Sequence, residues 1–419
     1  MSFYNEDWSM GGELEPGLDR AARDVSVDLK AAKAASDAAF IRVMEFEANS
    51  KLLHQSVEGK GVARLEWDDI CVEGLLGVGG FACVSKVSIP CLEDESPEDD
   101  DDDERKSTTS GTSCSSANYG IYALKCLNER TTMDVNTFAT GAADLASEFL
   151  ILSNLNHENI VRVYGVANGC VSQAFQESGG YFIVLELLRG TVADLLRLWR
   201  EDLKEQAKAA RIPSSFDRLQ EIALGIARGM EYLHQNNIVL RDLKPHNVGF
   251  DRAGVPRIFD FGLAREVYTD STTTNAAIPG VAGSWRYMAP ECALGNGCTF
   301  ASDMFSFTVL LWELLTLEKP FDKIGSAAEH RQKVASKGSR PTTANIPTQG
   351  LKDLLKDGWE TDPQKRPSFS EACKSIESEL ATNREQLEQA QRLSWRQQFS
   401  SLKKMVKTQI RERRRSQNM

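Results

Sequence analysis

The sequence predicts an α+β protein of two unequal lobes, with a small strand-rich lobe followed by a larger helical lobe. Residues 70–90 and 119–127 alternate between apolar and polar or run β-branched and aromatic, which is typical of strands. Residues 147–155 and 219–233 space their apolar side chains by three and four, as helices do, and the chain beyond Phe300 mostly continues that pattern. Strands followed by helices favour segregated layers.

The composition is that of a globular protein with a buried core. The chain has 419 residues, 41% of them hydrophobic, and a net charge of −11. No apolar run approaches the roughly 18 residues of a membrane span, because Glu313 interrupts the longest one. The first residues lack the basic-then-apolar pattern of a secretory signal. We therefore expect an intracellular, cytoplasmic protein without a transmembrane segment, and nuclear entry stays open.

The cysteines indicate reduced thiols. There are nine, an odd number, and no two of them have the two-residue spacing of a zinc site. A scattered set of this kind argues against a disulfide framework.

Three segments differ in charge from the rest of the chain. Residues 1–64 are expected to form an N-terminal extension that is partly helical or disordered, with one helix over 28–46. Residues 91–118 are expected to form a disordered acidic insert, because 93–104 are nearly all carboxylates. Residues 381–419 read as a basic amphipathic helical tail, with apolar side chains on one face.

The tail has three readings. It would bind a partner helix or lie as a peripheral helix, it would bind an anionic membrane surface, or it would contact the acidic insert. Specific nucleic-acid binding is not expected, because the chain as a whole is acidic.

A glycine cluster lies between two predicted strands. Gly77, Val78, Gly79 and Gly80 precede Val84 there. The cluster does not open a helix, which excludes a dinucleotide-binding fingerprint. Glycines allow backbone N–H groups to approach phosphate oxygens, although an ordinary hairpin turn has the same composition.

A lysine and a glutamate follow in the same lobe. Ala123 and Lys125 belong to an apolar strand, and Glu148 lies on the next predicted helix. A strand lysine often snorkels to water and a helical glutamate is often solvated. If the two residues pair, they aim the ammonium at phosphates.

The most specific motifs lie in the second lobe. Leu240, Arg241, Asp242, Leu243, Lys244, Pro245, His246 and Asn247 are followed by Asp260, Phe261 and Gly262, and then by Ala289, Pro290 and Glu291. In this order and spacing the motifs resemble those of the eukaryotic protein kinases over residues 65–380. The resemblance implies a bilobal kinase fold, with an N-lobe over 65–185 that contains one main helix and a C-lobe over 189–380.

The resemblance also implies roles for individual residues. Asp242 is similar to the catalytic base, Lys244 to the residue that steadies the γ-phosphate, and Lys125 with Glu148 to the pair that holds the α- and β-phosphates. The implied cofactors are ATP and Mg²⁺, with Asn247 and Asp260 as metal ligands. The nucleotide-binding residues implied are Gly77, Val78, Gly79, Gly80, Val84, Ala123, Lys125, Glu186, Leu188, Asn247 and Asp260. Leu185 takes the gatekeeper position, ahead of backbone contacts from Glu186 and Leu188 to adenine.

Other matches concern subtype and structure. Lys244 together with Ser284 resembles serine/threonine kinases, and Trp359 and the run 366–369 resemble their tyrosine-kinase-like branch. By the same resemblance, Glu291 and Arg366 form a structural ion pair, and Asp303 fixes the catalytic-loop backbone.

The sequence departs from the family pattern at several positions. Leu240 replaces a histidine, which removes a hydrogen-bond donor at a cost of about 1 kcal/mol. Ala82 replaces the third glycine of the loop at slight cost. Gly249 replaces an apolar residue under adenine, so we expect a roomier pocket unless Val248 or Phe250 compensates. Phe305 and Thr308 predict repacking of a buried helix.

All five charge-bearing positions are present, namely Lys125, Glu148, Asp242, Asn247 and Asp260. We therefore expect a serine/threonine kinase that transfers the γ-phosphate of Mg-ATP to Ser/Thr hydroxyls of protein substrates in intracellular signalling. The alternative is a pseudokinase-like binding scaffold. The polar stretch Thr269, Ser271, Thr272, Thr273 and Thr274 is either a phosphorylation site for an upstream kinase, paired with Arg241, or a plain polar loop.

Overall fold

The computed structural model describes residues 34, 37–44, 48, 50, 62–90, 119–128, 135–169, 180–205, 212–267 and 277–387. The predicted acidic insert, the polar stretch at 269–274 and the tail beyond residue 387 lie outside these residues. Within them, no helix combines the length and apolar character needed to cross a membrane.

The first lobe is built on a six-stranded sheet with the order β1-β5-β6-β4-β3-β2. Its strands are β1 (Ala63–Leu65), β2 (Cys71–Val78), β3 (Ala82–Pro90), β4 (Tyr119–Leu127), β5 (Val163–Ala167) and β6 (Phe182–Leu185). β1 pairs with β5 in parallel, and the other neighbours are antiparallel. Helix α1 (Val135–Ser153) packs against β4, β5 and β6. The lobe therefore has one main helix on one sheet, as predicted.

The second lobe is helical. Its helices are α2 (Val192–Lys204), α3 (Ser215–Arg218), α4 (Leu224–Gln235), α5 (Pro290–Leu294), α6 (Phe300–Thr316), α7 (Ala327–His330), α8 (Gln349–Gly358) and α9 (Phe369–Leu387). A π-helical turn joins α3 to α4. Ser214 caps α3, because its hydroxyl accepts a hydrogen bond from the Asp217 N–H at 3.1 Å. Helix α6 is buried along nearly its whole length and forms the centre of the lobe.

Two short two-stranded sheets accompany the helices of the second lobe. β8 (Val248–Phe250) pairs with β9 (Pro256–Ile258), and β7 (Ile238–Val239) pairs with β10 (Arg265–Glu266). They hold the loops that carry the charged motif residues. The predicted α+β bilobal fold is confirmed.

The described part of the N-terminal extension includes one helical stretch. Residues 37–44 are helical, within the 28–46 range predicted from the sequence. On this stretch Ala39 and Val43 are buried in the main hydrophobic cluster. The predicted limits of the kinase domain, residues 65 and 380, stay predictions. In the structure the first strand, β1, begins at Ala63 and the last described helix, α9, ends at Leu387.

The expectation that every cysteine is a reduced thiol is wrong for one pair. A disulfide joins Cys292, within α5, to Cys298, which follows the turn after that helix. The sequence spacing gave no sign of it, because the turn at Gly295 and Gly297 brings the two residues together. Cys83 and Cys126 lie opposite one another on β3 and β4 without such a bond, their sulfur atoms 3.3 Å apart.

Candidate active site

The glycine cluster forms the turn between β2 and β3. Gly79 N–H donates to the Ala82 carbonyl at 2.7 Å, which closes the turn. The Asn128 side-chain amide donates to the carbonyls of Gly79 and Gly80 at 2.8 and 3.2 Å. A Cβ on Gly80 would meet no atom within 4 Å, so the turn is open on that side. The loop is thus held from the β4 end by one amide.

Lys125 is bonded to two carboxylates in the cleft between the two lobes. Its ammonium donates to both carboxylate oxygens of Glu148, at 2.7 and 3.0 Å, and to Oδ1 of Asp260 at 2.8 Å. Glu148 lies on α1 and is 1% exposed, whereas the side chain of Asp260 is 39% exposed. The Phe261 N–H also donates to Glu148 at 3.2 Å. Strand β4, helix α1 and the segment after β9 therefore meet at one ammonium.

The protonation states follow from this cluster. Burial alone would lower the pKa of Lys125, but the carboxylates of Asp260 and Glu148 more than reverse that effect and raise it. Burial alone would raise the pKa of Asp260, but the ammonium groups of Lys125 and Lys244 hold it below its ordinary value. Lys125 is thus a cation and Asp260 an anion at neutral pH.

The apolar wall of the cleft comes from the same sheet face. Val84 on β3 lies directly opposite Lys125 on β4, so both side chains point to one face. Ala123, two residues before Lys125, shares that face. The structure thus places Val84, Ala123 and Lys125, three of the residues expected to bind nucleotide, on one face of the sheet.

The segment after β6 supplies main-chain groups at the edge of the cleft. Glu186 N–H donates to the Arg162 carbonyl at 2.9 Å, and the Glu186 carboxylate is 3.6 Å from the Arg257 guanidinium. Within the described part of the chain, the Glu186 carbonyl and the Leu188 N–H have no main-chain partner. These are one acceptor and one donor, the pair expected to bond an adenine edge.

The expected roomier pocket at Gly249 is not found. A Cβ placed on Gly249 would lie 2.6 Å from Cδ1 of Leu188, so Leu188 occupies that space. Val248 and Phe250, the neighbours of Gly249, are fully buried in the core. The glycine is therefore matched by a leucine from the segment after β6.

The catalytic-loop residues form a second cluster around Asp242. Lys244 donates to Oδ2 of Asp242 at 2.8 Å and to the Ser284 hydroxyl at 2.8 Å. The Ser284 N–H donates to Oδ1 of Asp242 at 2.7 Å, and the Asn247 side-chain amide donates to the Asp242 carbonyl at 2.9 Å. Asp242 is thus fixed on both oxygens, with its carboxylate between a lysine and the segment that carries Ser284.

The loop backbone is held from below by Asp303 of α6. This buried carboxylate accepts hydrogen bonds from the N–H groups of Leu240 and Arg241, both at 2.8 Å, and lies 3.0 Å from His234 Nε2. Arg241 adopts a positive φ of 69°, a conformation that such anchoring maintains. Leu240 is 1% exposed and Phe261 is fully buried, so both belong to the hydrophobic core.

Asn247 and Asp260 have the donor chemistry for Mg²⁺. Asn247 uses its NH₂ group toward Asp242, which leaves its carbonyl oxygen as a ligand. Asp260 gives one oxygen to Lys125, is anionic and is partly exposed. Mg²⁺ prefers such oxygens, with water and phosphate completing its shell. Among the described residues no group of three or more His, Cys, Asp or Glu side chains is arranged to hold a metal alone.

The structural matches also lie where the sequence placed them. Arg366 and Glu291 form a two-pronged ion pair at 2.7 and 2.8 Å. Phe305, which is fully buried, lies under the guanidinium groups of Arg340 and Arg366 at 5.0 and 5.2 Å. Its presence on α6 is thus accommodated by cation–π contacts.

Sequence reasoning missed two contacts at this site. Asn128 follows β4 directly but carries no motif of its own. Arg265, three residues after the Asp260-Phe261-Gly262 motif, pairs with Asp144 of α1 at 2.7 Å. Asp144 precedes Glu148 by four residues, which puts both carboxylates on one face of α1. That spacing could have indicated that Asp144 also lies near the site.

Comparison with known proteins agrees with this geometry. A model of the protein kinase domain matches residues 108–376. That match begins after the glycine loop, so the loop assignment depends on the geometry around Gly79 and Asn128.

Similar proteins include two from Arabidopsis thaliana and one from Dictyostelium discoideum. The serine/threonine-protein kinases STY17 and STY46 are 34% and 30% identical, over 56% and 64% of this chain and 37% and 41% of their own. The dual specificity protein kinase shkB is 38% identical over 46% of this chain and 28% of its own. The aligned region thus spans less than half of each relative.

Proposed function

Because the chain belongs to the protein kinase family, we propose that it transfers the γ-phosphate of Mg-ATP to serine and threonine hydroxyls of protein substrates. The observation that carries this proposal is the Lys125 ammonium, bonded at once to Glu148 and Asp260. This contact assembles the phosphate-binding cation, its partner on α1 and a metal-binding carboxylate at one point. Active protein kinases require that assembly.

Each group has a task that its position supports. Lys125 would bind phosphate oxygens, and Glu148 would keep the ammonium directed at them. Asp242 would orient the acceptor hydroxyl and accept its proton, while Lys244 would neutralise charge on the transferred group. Mg²⁺, held by Asn247 and Asp260, would stabilise the charge on the β- and γ-phosphates.

Serine/threonine preference is supported by the contacts of Lys244. Its ammonium bridges Asp242 and Ser284, at 2.8 Å to each. The bridge places a cation and a hydroxyl directly beside the proposed base, and this pair of residues resembles the serine/threonine kinases. One relative is a dual specificity protein kinase, so tyrosine is the acceptor with which serine and threonine should be compared.

Parts of the proposal concern segments outside the described residues. Thr269, Thr272, Thr273 and Thr274 would be targets of an upstream kinase. The tail would bind a partner helix or an anionic membrane surface.

A nucleotide-binding assay separates an enzyme from a binding scaffold. Thermal denaturation of wild type should show stabilisation by ATP that depends on Mg²⁺, and Asp260→Asn should lose most of it. A scaffold would bind nucleotide without metal or not at all. An array of Ser, Thr and Tyr peptides with labelled Mg-ATP then reports the acceptor, and labelling of tyrosine alone would contradict the specificity.

A further inference from the structure

The helical stretch before the kinase domain has one face packed against the protein and one face exposed. Ala39 and Val43, four residues apart, are 0% and 8% exposed. Between and beside them, Phe40, Ile41 and Met44 are 43%, 56% and 47% exposed. Because residues four apart share a helix face, the face with the smaller side chains is the one in contact with the domain.

A second contact follows at Ser50. Its hydroxyl donates to Oε2 of Glu266 at 2.6 Å, and Ser50 is fully buried. Glu266 belongs to β10, at the start of the segment that runs from Asp260 to Glu291. The preceding residue, Arg265, pairs with Asp144 of α1. The N-terminal segment thus reaches the element that is tied to α1.

Helix α1 is buried or half-buried along its described length. None of its described side chains, over 137–153, is exposed. The sheet packs against one side only, and a helix on a lobe surface would ordinarily keep a polar, exposed face. The buried residues of α1 include Phe138 and Ala142, and those of the N-terminal helical stretch are Ala39 and Val43.

We propose that the helical residues 37–44 and Ser50 form an intramolecular clasp, which holds α1 and β10 in the arrangement that keeps Glu148 on Lys125. Asp144 and Glu148 lie one turn apart on α1. An outward shift of the helix would therefore break the Arg265 and Lys125 ion pairs together. With the clasp in place both pairs are formed, at 2.7 Å each. The clasp is thus an activating element, and its effect on phosphotransfer rests on the proposed function.

The full-length chain offers a matched pair of variants to test this. Val43→Asp puts a carboxylate on the buried face, and Ile41→Asp puts the same group on the exposed face of the same helix. Hydrogen exchange of the α1 amides without nucleotide should be about tenfold faster or more in Val43→Asp, because an unpaired buried charge favours local opening. Ile41→Asp should stay within about twofold of wild type. Exchange in α6 is the control for global unfolding.

If Val43→Asp also speeds hydrogen exchange in α6, the variant is globally destabilised, and Ser50→Ala becomes the test of the clasp. It should speed exchange in β10 and α1 while α6 is unchanged, and Ser50→Thr, which keeps the hydroxyl, should restore wild-type exchange. Equal α1 exchange in Val43→Asp and Ile41→Asp, or in Ser50→Ala and wild type, overturns the clasp.

Phosphotransfer provides the separate functional readout. It should fall in Val43→Asp and not in Ile41→Asp, and a rise would overturn the activating role. If wild type transfers no phosphate, the proposed function fails, yet the exchange measurement still decides whether the clasp exists.

Discussion

Replacing Asp303 by asparagine tests how the catalytic loop is held. The carboxylate accepts hydrogen bonds from the Leu240 and Arg241 N–H groups, at 2.8 Å each, through different oxygens. Asparagine offers only one acceptor oxygen. Its NH₂ group would therefore face a backbone N–H in one of the two positions, donor against donor.

The cost follows from these contacts. One hydrogen bond to a charged group is worth about 1.5–3 kcal/mol, and a buried N–H left unsatisfied costs about 1–3 kcal/mol. Together they predict a loss of about 3–5 kcal/mol in the free energy of unfolding. At about 2–4 °C per kcal/mol, the melting temperature should fall by about 6 °C or more.

Calorimetry of Asp303→Asn beside Asp322→Asn measures this directly. Asp322 is exposed, so its variant should change the free energy of unfolding by no more than about 0.5 kcal/mol. Phosphotransfer by Asp303→Asn should also fall, because Asp242 lies on the same loop. If Asp303→Asn melts with wild type and retains full activity, the loop is not held as we describe.

Three further variants probe other contacts. Asn128→Ala removes the amide that donates to Gly79 and Gly80, so steady-state kinetics should show KM for ATP rising by up to about 30-fold, because two bonds are lost at about 1 kcal/mol each. An unchanged KM would count against the assignment of the glycine loop. Arg366→Leu leaves Glu291 without its two-pronged partner and should cost about 3–5 kcal/mol in urea unfolding, and a cost below about 1 kcal/mol would make the pair incidental. Burial, with Arg340 and Arg286 nearby, lowers the pKa of His330 from 6.5 to about 4, so protonation favours the unfolded chain. The free energy of unfolding of wild type should therefore fall by up to about 3 kcal/mol between pH 6.5 and pH 4. In His330→Phe this decrease should be smaller, and identical pH profiles of the two proteins would refute the assignment.

The charged centre could be predicted because its residues lie in motifs at element ends. Lys125 lies near the end of a strand, Glu148 on the next helix, and Asp242 and Asp260 in loops beside short strands. Lys125 bonds to Glu148 and Asp260 at 2.7–3.0 Å, whereas Asp242 lies in the second cluster, with Lys244 and Ser284. The resemblance to the protein kinases supplied this prediction, since each matched motif fixes both a residue type and its element.

Other features depended on packing that no local pattern encodes. The filling of the space at Gly249 by Leu188 joins residues 61 positions apart, and their approach is set by the whole cleft. The Cys292–Cys298 disulfide required the turn at Gly295. The contact of Ser50 with Glu266 crosses 216 positions and involves a serine without a motif.

The most direct test of the site is single-turnover transfer from labelled Mg-ATP to a Ser/Thr substrate, compared between wild type and Asp242→Asn. The variant removes the proton acceptor while Lys125, Glu148 and Asp260 still bind nucleotide. We predict labelled serine or threonine in wild type, and a rate lower by about 10²–10⁴-fold in the variant. Equal rates, or no transfer by a folded wild-type protein that binds Mg-ATP, would contradict the role assigned to Asp242.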